Sequence, residues 1–423
     1  MKYLSALFLL FSLSLSPFLT AQRLVCDTLH ISLMDVAAGD TSFADLKYQL
    51  HVRMNLSVEN NDSDTLVLKT NVKISQGLEP KNLQAFCVDS DGTERHLQTQ
   101  VKSLPAALPM MEDQELIIIL PDQKCTDLVV GYDVIGTGFF FSRFADNYPN
   151  VLTYYPREEY IYPMNIQIKE TRIHVPGSFR FFADREMCFD SRIGQINLTC
   201  FNSAAFTKED KQYGKAAISV YMPDTLSSEM KYQEELNTFY SYLSNLSDFY
   251  PSPCNLNMLM INWRDDDARQ AFGVSFRSHS VVDINLTAEG MLHEMIHQSF
   301  PVYVKSPSKG EFLIKESLIE WLTMYITNQT ESIKTDIKPA GGQNLFDADV
   351  NNNETRSLIY QYGPALLQQM AANGNEKQMA GAIISFLIDK DAQLTDYTEF
   401  INHLSRYFPQ TAIKELDTKV RGI

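Results

Sequence analysis

Apolar and polar residues alternate through much of the first half of the chain. In LKYQLHVRMNLSV, Leu46, Tyr48, Leu50, Val52 and Met54 fall on every second position, the period of a strand that buries one face. TLVLKTNVKIS, QELIIILP, TDLVVGYDVIG and IQIKETRIHVPGSFRFFA follow, separated by clusters of Asp, Asn, Gly and Pro. Short alternating runs broken by turn residues predict an antiparallel, β-sandwich-like domain. After GKAAISVYMPD the period lengthens. SSEMKYQEELNTFYSYLSNLSDFY carries Met230, Leu236, Phe239, Tyr240, Leu243 and Leu246 at helical spacing. A strand, NLNMLMINW, and a second strand-like run, GVSFRSHSVVDINL, lead into sequence that reads as mostly helical to Ile423. The change of texture predicts an α+β chain of two domains, all-β over 22–213 and mainly helical over 214–423. A length of 423 residues suits two cores better than one.

The first 21 residues stand apart. A short basic start at Met1–Lys2 precedes the apolar YLSALFLLFSLSLSPFLTA, which ends in small residues before Gln22–Arg23. That is the build of a cleavable signal peptide over 1–21 and predicts an exported protein, secreted or periplasmic. No later stretch is apolar enough over enough residues to span a bilayer, so no stable membrane insertion is expected after cleavage. Six cysteines (Cys26, Cys87, Cys125, Cys188, Cys200 and Cys254) make no CxxC pair. An even count suits disulfides in an oxidising compartment, with Cys188–Cys200 the preferred local pair. The net charge is −16 and no basic stripe appears, which argues against nucleic acid as a partner.

The candidate chemistry lies in MLHEMIHQSF. Thr287 is a suitable N-cap, and a helix from Ala288 would run until Pro301 stops it. His293 and His297, four apart, then project from one face, as two nitrogen ligands of a tetrahedral zinc must. Glu294 stands about 100° round the helix, placed to act on water without ligating. Downstream, GEFLIKESLIEWLTMYIT has the apolar stripe Phe312, Leu313, Leu318, Ile319, Leu322 and Ile326, with Glu316 and Glu320 on one face. Eighteen residues separate His297 from Glu316. They are enough to end one helix, turn the chain through PVYVKSPSKG, and return a carboxylate beside the histidines as a third ligand. Glu320 is equally consistent with a solvated acidic face or a pairing with Lys315.

HExxH, eighteen residues, then Glu resembles the pattern of the gluzincin metallopeptidases of the aminopeptidase N group. KESLIEWLTMY is similar to that group's Asn-Glu-Gly-Phe-Ala helix only in its glutamate. YQYGPALLQQM resembles the family's Tyr-x-Lys-Gly helix start, with Tyr362 in place of lysine. The resemblance implies a thermolysin-like catalytic domain with one Zn²⁺ ion held by His293, His297 and Glu316. It implies Glu294 as general base and Tyr360 as the donor to the oxyanion, with Tyr362 a nearby competitor, and a peptide or protein substrate. PREEYIYP and DFYPSPCNLNMLMIN also follow the family's order.

The chain departs from the family before the helix. Aminopeptidases of the group carry a Gly-x-Met-Glu-Asn edge strand whose glutamate binds the substrate's amine. NWRDDDARQAFGVSFRSHSVVDIN keeps Gly273, but Val274 and Ser275 follow it, without the glutamate. Asp265, Asp266, Asp267, His279, Glu289 and Glu320 are the remaining candidates for that wall, and the amine anchor stays unassigned. Members often have a further helical domain closing the cleft, while this sequence ends at Ile423; a more open cleft and longer substrates are expected. Two other readings are a non-catalytic binding protein on this scaffold, and a zinc hydrolase acting on epoxides or esters.

Overall fold

The computed structural model describes residues 23–37, 47–59, 65–70, 82–104, 114–120, 125–137, 151–154, 166–175, 177, 179–187, 194–224, 230–261, 273–300, 303–304, 310–337, 339, 342–348, 353–372, 375–391 and 393–423. The leader, the PREEYIYP stretch, Cys188 and the three consecutive aspartates at 265–267 lie outside them. The order of elements is mixed α+β, with sheets in the N-terminal part and helices in the C-terminal part.

In chain order the first strands are β1 (Arg23–Ala37), β2 (Lys47–Glu59), β3 (Leu66–Thr70), β4 (Gln84–Val88), β5 (Glu94–His96), β6 (Gln98–Leu104), β7 (Gln114–Leu120) and β8 (Asp127–Thr137). They are followed by β9 (Val151–Tyr154), β10 (Gln167–His174), β11 (Phe179–Met187) and β12 (Gly194–Asn202). Strands β1–β8 and β10 belong to one compact unit, and the chain from Gln195 onward to a second. The first unit holds a six-stranded sheet in the order β10-β1-β2-β8-β4-β5 and a three-stranded sheet, β3-β7-β6; a third sheet is β11-β12-β9. On β2, Val52, Met54, Leu56 and Val58 are buried while Arg53 is exposed, so the alternation in the sequence becomes an inner and an outer face. One pairing departs from the antiparallel expectation. β1 runs parallel to β10, which the long stretch of chain between them permits.

A disulfide joins Cys87 on β4 to Cys125 before β8, with Cα atoms 5.8 Å apart. The local spacing of the cysteines did not single out this pair. Its partners are distant in sequence, and the β4–β8 pairing brings them together. Closing a loop of 38 residues stabilises by roughly 4 kcal/mol in the chain-entropy account.

The second unit centres on a five-stranded sheet, β13-β14-β15-β17-β16. Its strands are β13 (Phe206–Tyr213), β14 (Ala216–Pro223), β15 (Cys254–Ile261), β16 (Gly273–Ser275) and β17 (Ser280–Asp283). β14, β15 and β17 pair in parallel, and β16 folds back antiparallel on β17 as the edge. The single strand-like run GVSFRSHSVVDINL is thus a hairpin. Helix α1 (Met230–Ser247) buries Leu236, Phe239, Tyr240, Leu243 and Leu246; Met230, at its first turn, is 75% exposed and not part of that face.

Helix α2 (Ala288–Ser299) follows β17. Next comes a π-helical turn over Leu313–Ser317 that runs into α3 (Leu318–Ile326). The same construction recurs: α4 (Asn353–Ser357) opens into a π-helical turn over Leu358–Tyr362 and then α5 (Gly363–Ala372). Helices α6 (Glu376–Asp389), α7 (Tyr397–Leu404) and α8 (Gln410–Arg421) complete the unit. Trp321, Phe239, Phe386 and Phe400 are wholly buried in its core. Side chains of that size dominate the area removed from water.

Candidate metal centre

Helix α2 begins where the sequence signals it. The Thr287 side chain accepts from the Gly290 backbone N–H at 3.2 Å, and a Glu235 carboxylate oxygen accepts from the Ala288 N–H at 2.9 Å. Both satisfy donors that a first turn leaves open. Glu289, also in that turn, accepts from the Tyr242 hydroxyl and from Gln329, each at 3.1 Å. Its carboxyl is held below the ordinary range by backbone and side-chain hydrogen bonds that outweigh burial. It is committed to the helix start.

One helical turn on, His293 and His297 present their Nε2 atoms 3.0 Å apart. Glu316 Oε2 stands 3.5 Å from the first and 3.4 Å from the second. Three ligand atoms from two separate elements therefore form a nearly equilateral triangle. A tetrahedral zinc with bonds of about 2.0–2.1 Å spaces its donors by about 3.3 Å. The triangle has the size and the two-nitrogen, one-oxygen chemistry that such an ion takes, so the residues present fit it.

The electrostatics agree. Burial alone would strip His293 of its proton, yet hydrogen bonds to Glu316 and Glu320, with the nearby charges of Glu294 and Glu316, push its pKa up to about 10. Glu316 is partly buried, which disfavours its charge, but the two imidazoles hold its carboxyl well below the ordinary value. The cluster calls for positive charge. His293 Nδ1 lies 3.0 Å from Glu320 Oε2. In the tautomer with its proton on Nδ1, that carboxylate accepts it and leaves Nε2 facing the triangle.

Glu316 and Tyr360 sit in the two π-helical turns, and those turns are packed on one another. Ser317 donates to the Ile359 carbonyl at 2.6 Å. A Cβ on Gly363 would stand 2.1 Å from the Ser317 hydroxyl oxygen, so only glycine lets the turns approach this closely. With them docked, the Tyr360 hydroxyl donates to Glu316 Oε2 at 3.1 Å. Burial, then the Glu316 charge, raises the Tyr360 pKa and keeps the phenol protonated. The Arg356 guanidinium carbon lies 5.8 Å from the Tyr360 ring centroid. Tyr362 points elsewhere: its hydroxyl reaches the Lys419 carbonyl at 3.5 Å.

Glu294 lies outside the triangle and against the edge strand, where Ser275 donates to its Oε2 at 2.6 Å. His279 is no wall of this site. It is wholly buried, stacked between Phe182 and Phe276 with ring centroids at 5.0 and 4.6 Å. The spacing of residues pointed to the three candidate ligands and to Glu294, and the resemblance to the family's Tyr-x-Lys-Gly helix start pointed to Tyr360. Glu320 as the partner of His293 had only its place one turn after Glu316 as a signal, and Ser275 had none.

Structures that share this architecture include zinc metallopeptidases of the M1 class, an aminopeptidase and an LTA4 hydrolase. An M1 zinc metallopeptidase from Deinococcus radiodurans is 12% identical at a TM-score of 0.53, over 95% of this chain and 94% of that one. Aminopeptidase A from Legionella pneumophila is 11% identical at a TM-score of 0.56, over 94% of this chain and 49% of its own. Yeast LTA4 hydrolase is 12% identical at a TM-score of 0.53, over 94% and 68%. At these identities the likeness is one of fold. No family model matches the chain, and no curated protein matches its sequence.

Proposed function

We propose that this protein is an exported zinc-dependent metallopeptidase that binds one Zn²⁺ ion through His293, His297 and Glu316. The observation that carries the reading is the triangle of ligand atoms at 3.0, 3.4 and 3.5 Å. The M1 fold supports it. So does the peptide seen with the Deinococcus neighbour, a mutant of which was solved bound to a Tyr-ser-ala substrate.

Zinc held by this set supplies Lewis acidity, which makes water a nucleophile at neutral pH and polarises a carbonyl. Glu294 accepts the proton that the attacking water loses and passes it to the departing amine nitrogen. Tyr360, protonated and beside Glu316, donates its O–H to the oxygen on which negative charge develops. Glu320 holds the proton on His293 Nδ1 and so orients that ligand.

Substrate selectivity follows from what the edge strand lacks. Beyond Gly273, Val274 and Ser275 the chain continues into Phe276, which is buried. Glu289 is committed to Tyr242 and Gln329, and Glu320 to His293. With Glu289 and Glu320 each already partnered and no glutamate after Gly273, the reading we favour is cleavage without a requirement for the N-terminus. Export rests on the leader in the sequence and is supported by the Cys87–Cys125 disulfide, a bond that persists in oxidising compartments. Among the described residues no helix is long and apolar enough to cross a membrane.

The test is cleavage of a peptide library with free and N-acetylated termini, before and after chelation, by wild type and Glu294→Gln. We expect chelator-sensitive cleavage of both libraries. The variant should retain its metal and lose about 10²- to 10⁴-fold in kcat. A variant that cleaves normally removes Glu294 from the mechanism.

A further inference from the structure

The hairpin β16–β17 does more than border the site. Ser275, on its outer strand, brings Oγ within 2.6 Å of Glu294 Oε2, 2.7 Å of the Glu294 carbonyl oxygen and 2.8 Å of Ser280 Oγ. Counting protons orders these contacts. Ser280, which is wholly buried, has other acceptors only at 3.4 Å (the Glu294 carbonyl) and 3.5 Å (Gln298 Oε1). Its best donation is to Ser275 Oγ. The Ser275 proton is then free for Glu294, whose Oε2 at 2.6 Å is nearer than its carbonyl oxygen at 2.7 Å.

Gly273 lies two residues earlier and so on the same side of the strand. A Cβ there would stand 2.6 Å from Glu294 Cγ and 2.7 Å from its Cδ and Oε1. The missing side chain of Gly273 therefore leaves the space that one carboxylate oxygen occupies, while a hydroxyl two residues on holds the other. A glutamate left to itself samples several rotamers, whereas a general base has to wait within hydrogen-bond reach of the proton it takes.

Resting on the peptidase reading above, we propose that Ser275 is a positioning residue: with Gly273 and Ser280 it fixes the Glu294 carboxylate on the edge strand, beside the ligand triangle and not in it. The residue that a free-amine anchor would need on this strand is absent. The strand instead serves the base.

The experiment compares wild type, Ser275→Ala and Ser275→Thr by crystal structure, zinc content, melting temperature, kcat and KM on one peptide. In S275A we expect the Glu294 carboxylate to leave Gly273 and populate more than one rotamer. We expect kcat to fall about tenfold with KM, zinc content and melting temperature unchanged, and S275T to restore both the geometry and the rate. An unmoved Glu294 in S275A overturns the proposal. So does an unchanged kcat, or a loss of kcat accompanied by lost zinc or a lowered melting temperature. If wild type cleaves nothing, the peptidase reading fails by itself, and the Glu294 rotamer still decides this inference.

Discussion

A histidine that gives Nε2 to a metal must keep its proton on Nδ1, and Glu320 stands 3.0 Å from that atom on His293. In the proposed site this arrangement makes Glu320 a support of His293 and not itself a ligand. Glu320→Ala should leave the fold intact and weaken zinc binding by about 10- to 100-fold, measured by competition with a chelator of known affinity; an unchanged affinity would return Glu320 to the role of a solvated acid. The residues that carry the site differ in how readable they were. Two histidines at i and i+4 follow the helical period, and a glutamate with eighteen residues between it and the second histidine completes a spacing that is visible in a sequence. Ser275 and Glu294 are nineteen residues apart on a strand and a helix, and nothing in either segment announces the other. Glu289 and Glu320, both carboxylates without an assignment in the sequence, proved to be spoken for by partners 47 and 27 residues away.

At the scale of elements, the hairpin is held by His279. Its ring is stacked between Phe182 and Phe276, and its nitrogens meet the hydroxyls of Thr199 at 2.6 Å and Ser278 at 2.9 Å. Burial pushes its pKa down to about 3. The unfolded chain, with an ordinary imidazole near 6.5, takes up a proton that the folded one refuses. The stability His279 contributes is therefore complete above about pH 6.5 and declines as pH falls toward 3, by roughly 1.4 kcal/mol per pH unit within that window. Urea unfolding between pH 4 and 7 should show this slope in wild type and a slope shallower by about one proton in His279→Leu; equal slopes would contradict the assignment. The elements themselves were largely legible, because α2, α1 and the strands of the first unit follow simple periods of apolar residues. The π-helical turns at 313–317 and 358–362 were not. Their extra residue is fixed by Ser317 docking on the Ile359 carbonyl under Gly363, a tertiary contact that no window of sequence contains. For the same reason the parallel β1–β10 pair and the Cys87–Cys125 bond escaped a reading built on neighbours in sequence.

For the whole molecule, the fold of the M1 metallopeptidases persists at identities of 11–12%, and it fixes where a site is built more firmly than which chemistry the site runs. Here the fold and the side chains point to one place: α2, the two π-helical turns and the edge strand converge on three candidate ligand atoms and the Glu294 carboxylate. A metal bound there stabilises the native chain by mass action as well as serving the reaction. The most direct measurement is the zinc content of the purified protein by mass spectrometry, for wild type, Glu294→Gln and Glu316→Gln. One zinc per chain is predicted in wild type and in the Glu294 variant, and a marked loss in the Glu316 variant. Wild type without zinc when purified in its presence, or a Glu316 variant that binds it as tightly, would contradict the account.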